Sequence, residues 1–237
     1  MTQEPHGAFD KDFWEGHWAR DPDGGPASMS GNPPNPYLSA ELRDLRPGTA
    51  LDAGCGAGAE AIWLAERGWQ VTAADISSEA LRHAAERIEA AGVADRVRLV
   101  EADLAAWSPP AAFDLVTTHY AHPSMRQLDF YERLAGWAAP GGTLLVVGHR
   151  SGHGDDGEPG HEHGHGHGHG DHQPPTGAST TAAAITARLD ERRWDVATAV
   201  ELTRTMPGPG GREVALDDVV VRATRRTDEP SPTDRSR

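Results

Sequence analysis

A glycine-rich segment between Asp52 and Gly58 constrains the fold of this chain more than any other feature. Its sequence, DAGCGAG, follows a short apolar run from Ala50 to Ala53 that predicts a buried strand. It precedes an apolar stretch that predicts a helix ending at Gly68. Glycines at such a strand-to-helix turn let the backbone approach a ligand, and the first turn of the helix offers unpaired N–H groups. The segment therefore predicts a loop that binds a partly anionic ligand.

Strands and helices alternate along the chain after this loop. Further helices are predicted from a cap at Ser77 or Ser78 to Gly92, over Phe130–Trp137, and from a cap at Ser179 or Thr180 through Ala183, Ile185 and Leu189. Strands are predicted at 50–53, 71–74, 97–100, 113–118, 143–147 after a turn at 140–142, 194–202 and 219–223, the last two as an antiparallel pair. This alternation predicts an α/β fold with a doubly wound, mostly parallel seven-stranded sheet and an antiparallel last strand.

The charge and the cysteine content limit the partners and the compartment. The chain has 36 Asp and Glu against 22 Lys and Arg, for a formal charge of -14. That charge repels phosphate backbones and anionic lipid, so we expect no nucleic acid and no membrane partner. The single cysteine, Cys55, excludes an internal disulfide, and the sequence has no apolar run of about 18 residues. We therefore expect a cytoplasmic protein.

Composition divides the chain into five segments. Residues 1–49 are rich in proline, glycine and aspartate, and predict a loop-rich arm and lid with two short helices. Residues 50–150 carry the regular pattern, and residues 179–226 continue it as a helix and a strand pair of the same domain. The His-rich insert at 151–178 and the polar tail at 227–237 have no packing signal, so we expect both to be disordered.

Polar residues lie at the ends of three predicted strands, at the edge of the sheet where open α/β folds bind ligands. Asp75 follows the second strand, Asp103 the third, and the segment Thr118-His119-Tyr120 the fourth. The glycines with Ala59, and an acid about 20 residues further on, also satisfy the dinucleotide fingerprint, so a nicotinamide-dependent oxidoreductase is one alternative. Asp52 argues against this alternative, because a carboxylate tolerates an ammonium group but is unfavourable beside a pyrophosphate.

Four ordered motifs between Ala50 and about Val147 resemble those of the class I S-adenosylmethionine-dependent methyltransferases. They are DxGxGxG at 52–58, Ala74-Asp75-Ile76-Ser77, Glu101-Ala102-Asp103-Leu104 and Pro140-Gly141-Gly142-Thr143. The resemblance implies a Rossmann-like fold, S-adenosyl-L-methionine as the cofactor and methyl transfer as the activity. It implies that Asp75 accepts both ribose hydroxyls, that Ile76 packs on adenine and that Asp103 accepts from the adenine amine. The residues expected to bind the cofactor are Asp52, Gly54, Gly56, Gly58, Asp75, Ile76, Asp103, Leu104 and His119.

The segment after the fourth predicted strand indicates which class of molecule accepts the methyl group. It lacks the Asn or Asp followed by Pro-Pro of the families that methylate DNA or protein amides, so we expect a small-molecule acceptor. His119 and His122 are candidate general bases, because neutral imidazole accepts protons near pH 7, and His149 is a third. Each is otherwise explained as a hydrogen-bonded residue of the pocket wall. The expected acceptor pocket consists of Trp14, Trp18, Tyr37, Tyr120, His122 and His149.

The aromatic residues of the arm suggest a subdivision of the family. Trp14, Trp18 and Tyr37 predict an aromatic lid over a small apolar or soft acceptor. This arm is similar to the tryptophan-containing arms of the tellurite-resistance and thiopurine-like branch. The segment Asn32-Pro33-Pro34-Asn35 resembles an amide-methylating signature, but it precedes the glycine loop and predicts a turn.

The His-rich insert raises a second alternative function. Its histidines at 161, 163, 165, 167 and 169 alternate with glycine or glutamate, and imidazole suits Zn, Cu and Ni ions. Such a repeat has no fixed ligand geometry, so we favour a solvated linker as its explanation. The hypothesis is weak Ni(II) or Cu(II) binding by His161, His163, His165, His167 and His169. The corresponding alternative function is that of a metal-binding or metal-buffering protein that merely retains the fold.

Overall fold

One seven-stranded sheet organises the part of the chain that the computed structural model describes, residues 9–19, 31–150, 179–207 and 213–227. Its strands are β1 (Thr49–Ala53), β2 (Gln70–Asp75), β3 (Val97–Glu101), β4 (Phe113–His119), β5 (Ala138–His149), β6 (Trp194–Pro207) and β7 (Glu213–Arg225). The helices of these ranges are α1 (Lys11–Trp18), α2 (Pro36–Glu41), α3 (Ala59–Glu66), α4 (Ser78–Ala91), α5 (Gln127–Ala135) and α6 (Ala182–Thr186).

The strands lie in the order β3-β2-β1-β4-β5-β7-β6. Strands β1 to β5 pair in parallel, and β7 is antiparallel to both of its neighbours, β5 and β6. The predicted α/β fold with an antiparallel last strand is therefore confirmed. Because parallel strands end at the same edge of a sheet, the carboxyl ends of β1, β2, β3, β4 and β5 meet at one carboxyl edge.

Helices cover both faces of the sheet, and each face has its own hydrophobic core. Successive side chains of a strand point to opposite faces, so Ala50 packs in the cluster beneath α3 and α4, and Leu51 packs in the cluster beneath α5 and α6. Both residues are fully buried. Strands buried on both sides need nearly continuous apolar runs, which explains the clear sequence signal of the central strands.

Local signals in the sequence explain where α4 begins and ends. The Ser77 hydroxyl accepts from the N–H of Ala80 at 3.2 Å and caps the first turn. Gly92 ends the helix in the left-handed conformation, with φ of +67°. Both predicted signals are confirmed. The two short helices predicted for the arm are present as α1 and α2.

Three predicted boundaries were wrong. Helix α5 covers 127–135 rather than 130–137, and Thr181 caps α6 by accepting from the N–H of Ala184, so neither Ser179 nor Thr180 is the cap. The segment at 140–142 is not a turn before β5 but a bulge within it, where the register shifts between Phe113 and Leu115. A Cβ atom at Gly142 would lie 2.7 Å from the carbonyl oxygen of Phe113, so only glycine fits this bulge.

The His-rich insert at 151–178 and residues 228–237 of the predicted tail lie outside the described residues, as do the proposed metal ligands His161, His163, His165, His167 and His169. In the described ranges, no helix has the length and apolar character needed to cross a membrane. The same ranges contain no group of three or more His, Cys, Asp or Glu side chains suited to holding a metal ion.

Candidate cofactor and acceptor site

Backbone hydrogen bonds join the first three strand ends at the carboxyl edge. The N–H groups of Gly54 and Cys55 donate to the carbonyl of Ala74 at 2.8 and 3.0 Å, which ties the glycine loop to the end of β2. The N–H of Ala102 donates to the carbonyl of Asp75 at 2.8 Å, which ties the segment after β3 to the same point. Asp52, Asp75 and Asp103 therefore follow one another along a single edge.

The glycine loop needs its glycines for conformation and for close packing. Gly54 and Gly56 have φ of +78° and +51°, which side chains rarely adopt. A Cβ atom at Gly54 would lie 2.4 Å from Cβ of Ala121, and one at Gly56 would lie 2.9 Å from Cζ2 of Trp18. Gly58, with φ of +77°, precedes α3 and lets it approach Ala84 of α4. The loop is thus packed between α1, α4 and the segment after β4.

Asp75 is held in one orientation at the end of β2. Its Oδ2 accepts from the N–H of Gly56 and its Oδ1 accepts from the N–H of Ser77, both at 2.9 Å. Burial raises the pKa of the carboxyl, although the hydrogen bonds from Ser77 and Gly56 lower it. Each carboxylate oxygen has about two acceptor sites, so both oxygens retain capacity for a ligand hydroxyl.

Asp52 and His119 contribute buried polar atoms with no protein partner. Oδ2 of Asp52 and Nδ1 of His119 lack a hydrogen-bond partner among the described residues, and Asp52 is only 1% exposed. Burial raises the pKa of Asp52 well above its ordinary value, and the nearby carboxylates of Glu60 and Asp75 raise it further. Burial lowers the pKa of His119. An unpaired buried carboxylate oxygen calls for a donor or a cation beside it.

The other predicted cofactor residues lie close by. Oδ1 of Asp103 accepts from the N–H of Ala105 at 2.9 Å, so this carboxylate also closes the turn after β3. Ile76 is half-buried beside Asp75. Leu104 is 7% exposed and packs in the core on the α5 face.

Aromatic rings from the ends of β4 and β5 stack in a row. The ring of His149 lies 5.4 Å from that of His122 and 4.8 Å from that of Tyr120, measured between centroids. Tyr120 is the only non-glycine residue in the described ranges with positive φ, +54°, and such strain often marks functional positions. Burial raises the pKa of Tyr120 and lowers that of His149. These rings are therefore uncharged near neutral pH.

A buried carboxylate that the sequence analysis missed anchors this row. Asp218 on β7 is fully buried and accepts from the hydroxyl of Tyr120 at 2.7 Å and from the hydroxyl of Tyr37 at 3.0 Å. It also accepts from Nε of Arg204 on β6 at 2.7 Å. Asp218 stands opposite His149 in the sheet. The acidic pair Asp217-Asp218 directly before the apolar run that begins at Val219 was the one local signal for it.

The three aromatic residues predicted as a lid lie in two places. Nε1 of Trp14 donates to the carbonyl of His122 at 3.2 Å, and Tyr37 reaches Asp218, so both lie on the side of the stacked rings. Trp18 packs with Ala57 and Ala80 against the glycine loop instead. Trp18 is thus placed beside the predicted cofactor residues, and Trp14, which packs against the same cluster, connects it to His122.

The buried imidazole of His122 predicts a dependence of stability on pH. Burial and the neighbouring His149 lower the pKa of His122 to about 4, from an ordinary value of 6.5. Between these values the unfolded chain binds more protons, so the free energy of unfolding decreases as pH falls from about 6.5 towards about 4.

We expect His122 to contribute about 3 kcal/mol to this loss. Urea unfolding of the wild type and of His122→Asn at several pH values isolates that contribution, because other groups titrate in both proteins. A difference in stability between the two proteins that stays constant with pH would contradict the prediction.

Comparisons with known proteins find a match for the region that contains the glycine loop. Residues 50–142 match the family model described as a methyltransferase domain. The ribosomal RNA small subunit methyltransferase C of Alcanivorax borkumensis is 36% identical over 112 residues, which are 44% of this chain and 33% of that protein. The trans-aconitate 2-methyltransferase of Rhizobium meliloti is 35% identical over 112 residues, which are 46% of this chain and 41% of that protein. The chain thus matches less than half the length of these relatives.

A solved structure extends the likeness to nearly the whole chain. The N-methyltransferase NodS from Bradyrhizobium japonicum, in complex with S-adenosyl-L-homocysteine, superposes with a TM-score of 0.61. The superposition covers 90% of this chain and 98% of NodS, at 16% sequence identity. At that identity the likeness establishes a shared fold, including the strands outside the matched domain.

Proposed function

Residues 50–142 are a class I S-adenosylmethionine-dependent methyltransferase domain, and from this premise we propose that the chain transfers a methyl group from S-adenosyl-L-methionine to a small-molecule acceptor. The observation that carries the proposal is the unpartnered Oδ2 of Asp52, buried beside the glycine loop and one strand away from Asp75. A zwitterionic amino acid joined to a nucleoside supplies an ammonium group for the first carboxylate and a diol for the second.

The residues present suit the cofactor. Asp52 would accept from its ammonium group through the unpartnered Oδ2. Asp75 would accept from both ribose hydroxyls, since its two oxygens are fixed by backbone N–H groups. Ile76 would pack against adenine, and Asp103 would accept from the adenine amine. The glycines at 54, 56 and 58 keep the loop free of side chains.

When bound, the cofactor supplies an activated methyl group, and the chain has to position the acceptor and exclude water. The rings of Tyr120, His122 and His149 form a wall at the ends of β4 and β5 for this purpose. Neutral imidazoles are able to take a proton from the acceptor as the new bond forms. His122 and His149 are better candidates for this than His119, because they belong to the ring wall and His119 does not.

A small molecule suits the acceptor side better than a nucleic acid. The stacked rings are neutral, and Arg204, the cation that contacts the Tyr120 hydroxyl, is already paired with Asp218 and so is less available to a phosphate backbone. Among the relatives, trans-aconitate 2-methyltransferase acts on a small acid and the ribosomal RNA enzyme acts on RNA. Incubating the protein with isotope-labelled cofactor, a panel of small acceptors and ribosomal RNA distinguishes the two classes.

Calorimetry tests the cofactor assignment against the alternatives. We expect S-adenosyl-L-homocysteine to bind the wild type, and NADH and Ni(II) to bind far more weakly or not at all. Tight binding of NADH alone would reassign the chain to the oxidoreductases. Tight binding of Ni(II) alone, abolished by deleting residues 153–172, would favour the metal-binding alternative.

Asp75→Ala should weaken binding of S-adenosyl-L-homocysteine by about 1.5–3 kcal/mol, the usual contribution of a charged hydrogen-bonding group. Asp95→Ala is the matched control, because this carboxylate is 72% exposed in the loop before β3, at the opposite edge of the sheet. Equal affinities of the Asp75 variant and the wild type, measured by calorimetry, would refute the ribose assignment.

A further inference from the structure

Helix α1 lies across the carboxyl edge of the sheet. Its side chains contact the last residue of β3 and the segments that follow β2, β1 and β4. The pairs are Lys11 with Glu101, Glu15 with Ser77 and Ser78, Trp18 with Gly56, and Trp14 with His122. The helix therefore covers the same strand ends that carry the predicted cofactor residues.

Glu15 makes the most extensive polar contact of this helix. One carboxylate oxygen accepts from the N–H and the hydroxyl of Ser78, both at 2.8 Å. The other oxygen accepts from the hydroxyl of Ser77 at 3.0 Å and from the N–H of Glu79 at 3.1 Å. Four donors thus converge on one side chain that is distant from them in sequence.

The position of these donors explains the strength of the contact. Ser78 and Glu79 begin α4, a helix of 14 residues, where N–H groups lack partners within the helix and the helix dipole favours a negative charge. Burial alone would raise the pKa of Glu15, but the hydrogen bonds from Ser78, Glu79 and Ser77 lower it to about 2. The carboxylate is therefore charged throughout the neutral range.

The contact of Glu15 continues into the predicted cofactor site. Ser77, which donates its hydroxyl to Glu15, donates its N–H to Asp75 at 2.9 Å. The other oxygen of Asp75 holds the N–H of Gly56. Trp18 lies one helical turn after Glu15 and packs against this same glycine. Helix α1, Asp75 and the glycine loop are thus connected twice, once by hydrogen bonds and once by an indole ring.

We propose that Glu15 is a positioning residue for the cofactor site, which docks α1 over Asp75 and Gly56 so that release of the cofactor requires α1 to undock. The inference rests on the proposed function. Because coupling between two binding events is reciprocal, a bound cofactor also stabilises the docked helix.

Release of S-adenosyl-L-homocysteine, followed by stopped-flow tryptophan fluorescence, tests this role. We expect Glu15→Ala to accelerate release about tenfold or more, since several charge-assisted hydrogen bonds are lost. Glu15→Gln keeps one acceptor oxygen, so its release rate should lie between those of the wild type and Glu15→Ala. Asp12→Asn is the control, because Asp12 is an exposed acid of the same helix.

Amide hydrogen exchange of residues 9–19 gives a second readout. The ligand should slow exchange in the wild type and in Asp12→Asn, but not in Glu15→Ala. If Glu15→Ala fails to fold, Ser78→Ala removes a single hydroxyl from an exposed position and should accelerate release more modestly.

Three outcomes would overturn the proposal. Unchanged release in the folded Glu15 variants would show that the contact is only structural, and tighter binding would show that α1 obstructs the site. In either case the wild type still binds, so the proposed function stands. A wild type that does not bind S-adenosyl-L-homocysteine would overturn the proposed function and this inference together.

Discussion

Asp218→Ala is expected to lower the free energy of unfolding by about 3 kcal/mol. The carboxylate is fully buried and pairs with Arg204, and removing one partner of such a pair leaves a poorly solvated charge behind. The hydroxyls of Tyr37 and Tyr120 lose their acceptor in the same variant. Urea unfolding at neutral pH measures the change.

The neighbouring residue supplies the matched control for Asp218. Asp217 is also an aspartate of β7, but its side chain is 46% exposed where it pairs with Arg150. Asp217→Ala should therefore change stability much less than Asp218→Ala, because solvent replaces the lost contact. Equal losses in the two variants would show that the buried network does not stabilise the fold in the way its geometry indicates.

Gly56→Val is expected to abolish binding of S-adenosyl-L-homocysteine while the protein still folds. The branched side chain would enter the space that Trp18 now approaches, and it would have to adopt φ of +51°, which costs about 1–3 kcal/mol. Displacing Trp18 would also disturb the docking of α1. Calorimetry measures the binding, and circular dichroism reports whether the variant is folded.

Gly92→Val separates the backbone strain from the loss of space. Gly92 also has positive φ, +67°, but a Cβ atom there meets nothing within 4 Å, and it lies at the far end of α4. We expect this variant to lose some stability and to bind the ligand normally. A folded Gly56→Val protein with normal affinity would rule out the glycine loop as the binding loop.

Local sequence signals were enough to predict a doubly wound, mostly parallel sheet, because the central strands are short, largely apolar runs that alternate with helices. The signals at Ser77 and Gly92 act within one turn of the residues they affect. The bulge at Gly142 could not be foreseen, because a Pro-Gly-Gly sequence is typical of a turn and only the neighbouring carbonyl of Phe113 shows why glycine is needed inside a strand.

Contacts between distant parts of the chain explain what the sequence analysis missed in the site. Asp218 joins Tyr37 and Tyr120 across separations of 181 and 98 residues, and Glu15 reaches the start of α4 across 62 to 64 residues. No periodicity or spacing reveals such pairs. By contrast, Asp52, Asp75 and Asp103 each lie at or just after the end of a recognisable strand, so their common edge was predictable from the parallel arrangement of the strands.

The reversed direction of β7 places Asp218, near the middle of that strand, where the parallel strands terminate. The last quarter of the chain therefore holds the Tyr120 hydroxyl in place, although it lies outside residues 50–142. On the proposed function, the shape of the acceptor wall then depends on β6 and β7 as well as on the matched domain. Substitutions in these two strands are expected to alter acceptor binding more than cofactor binding.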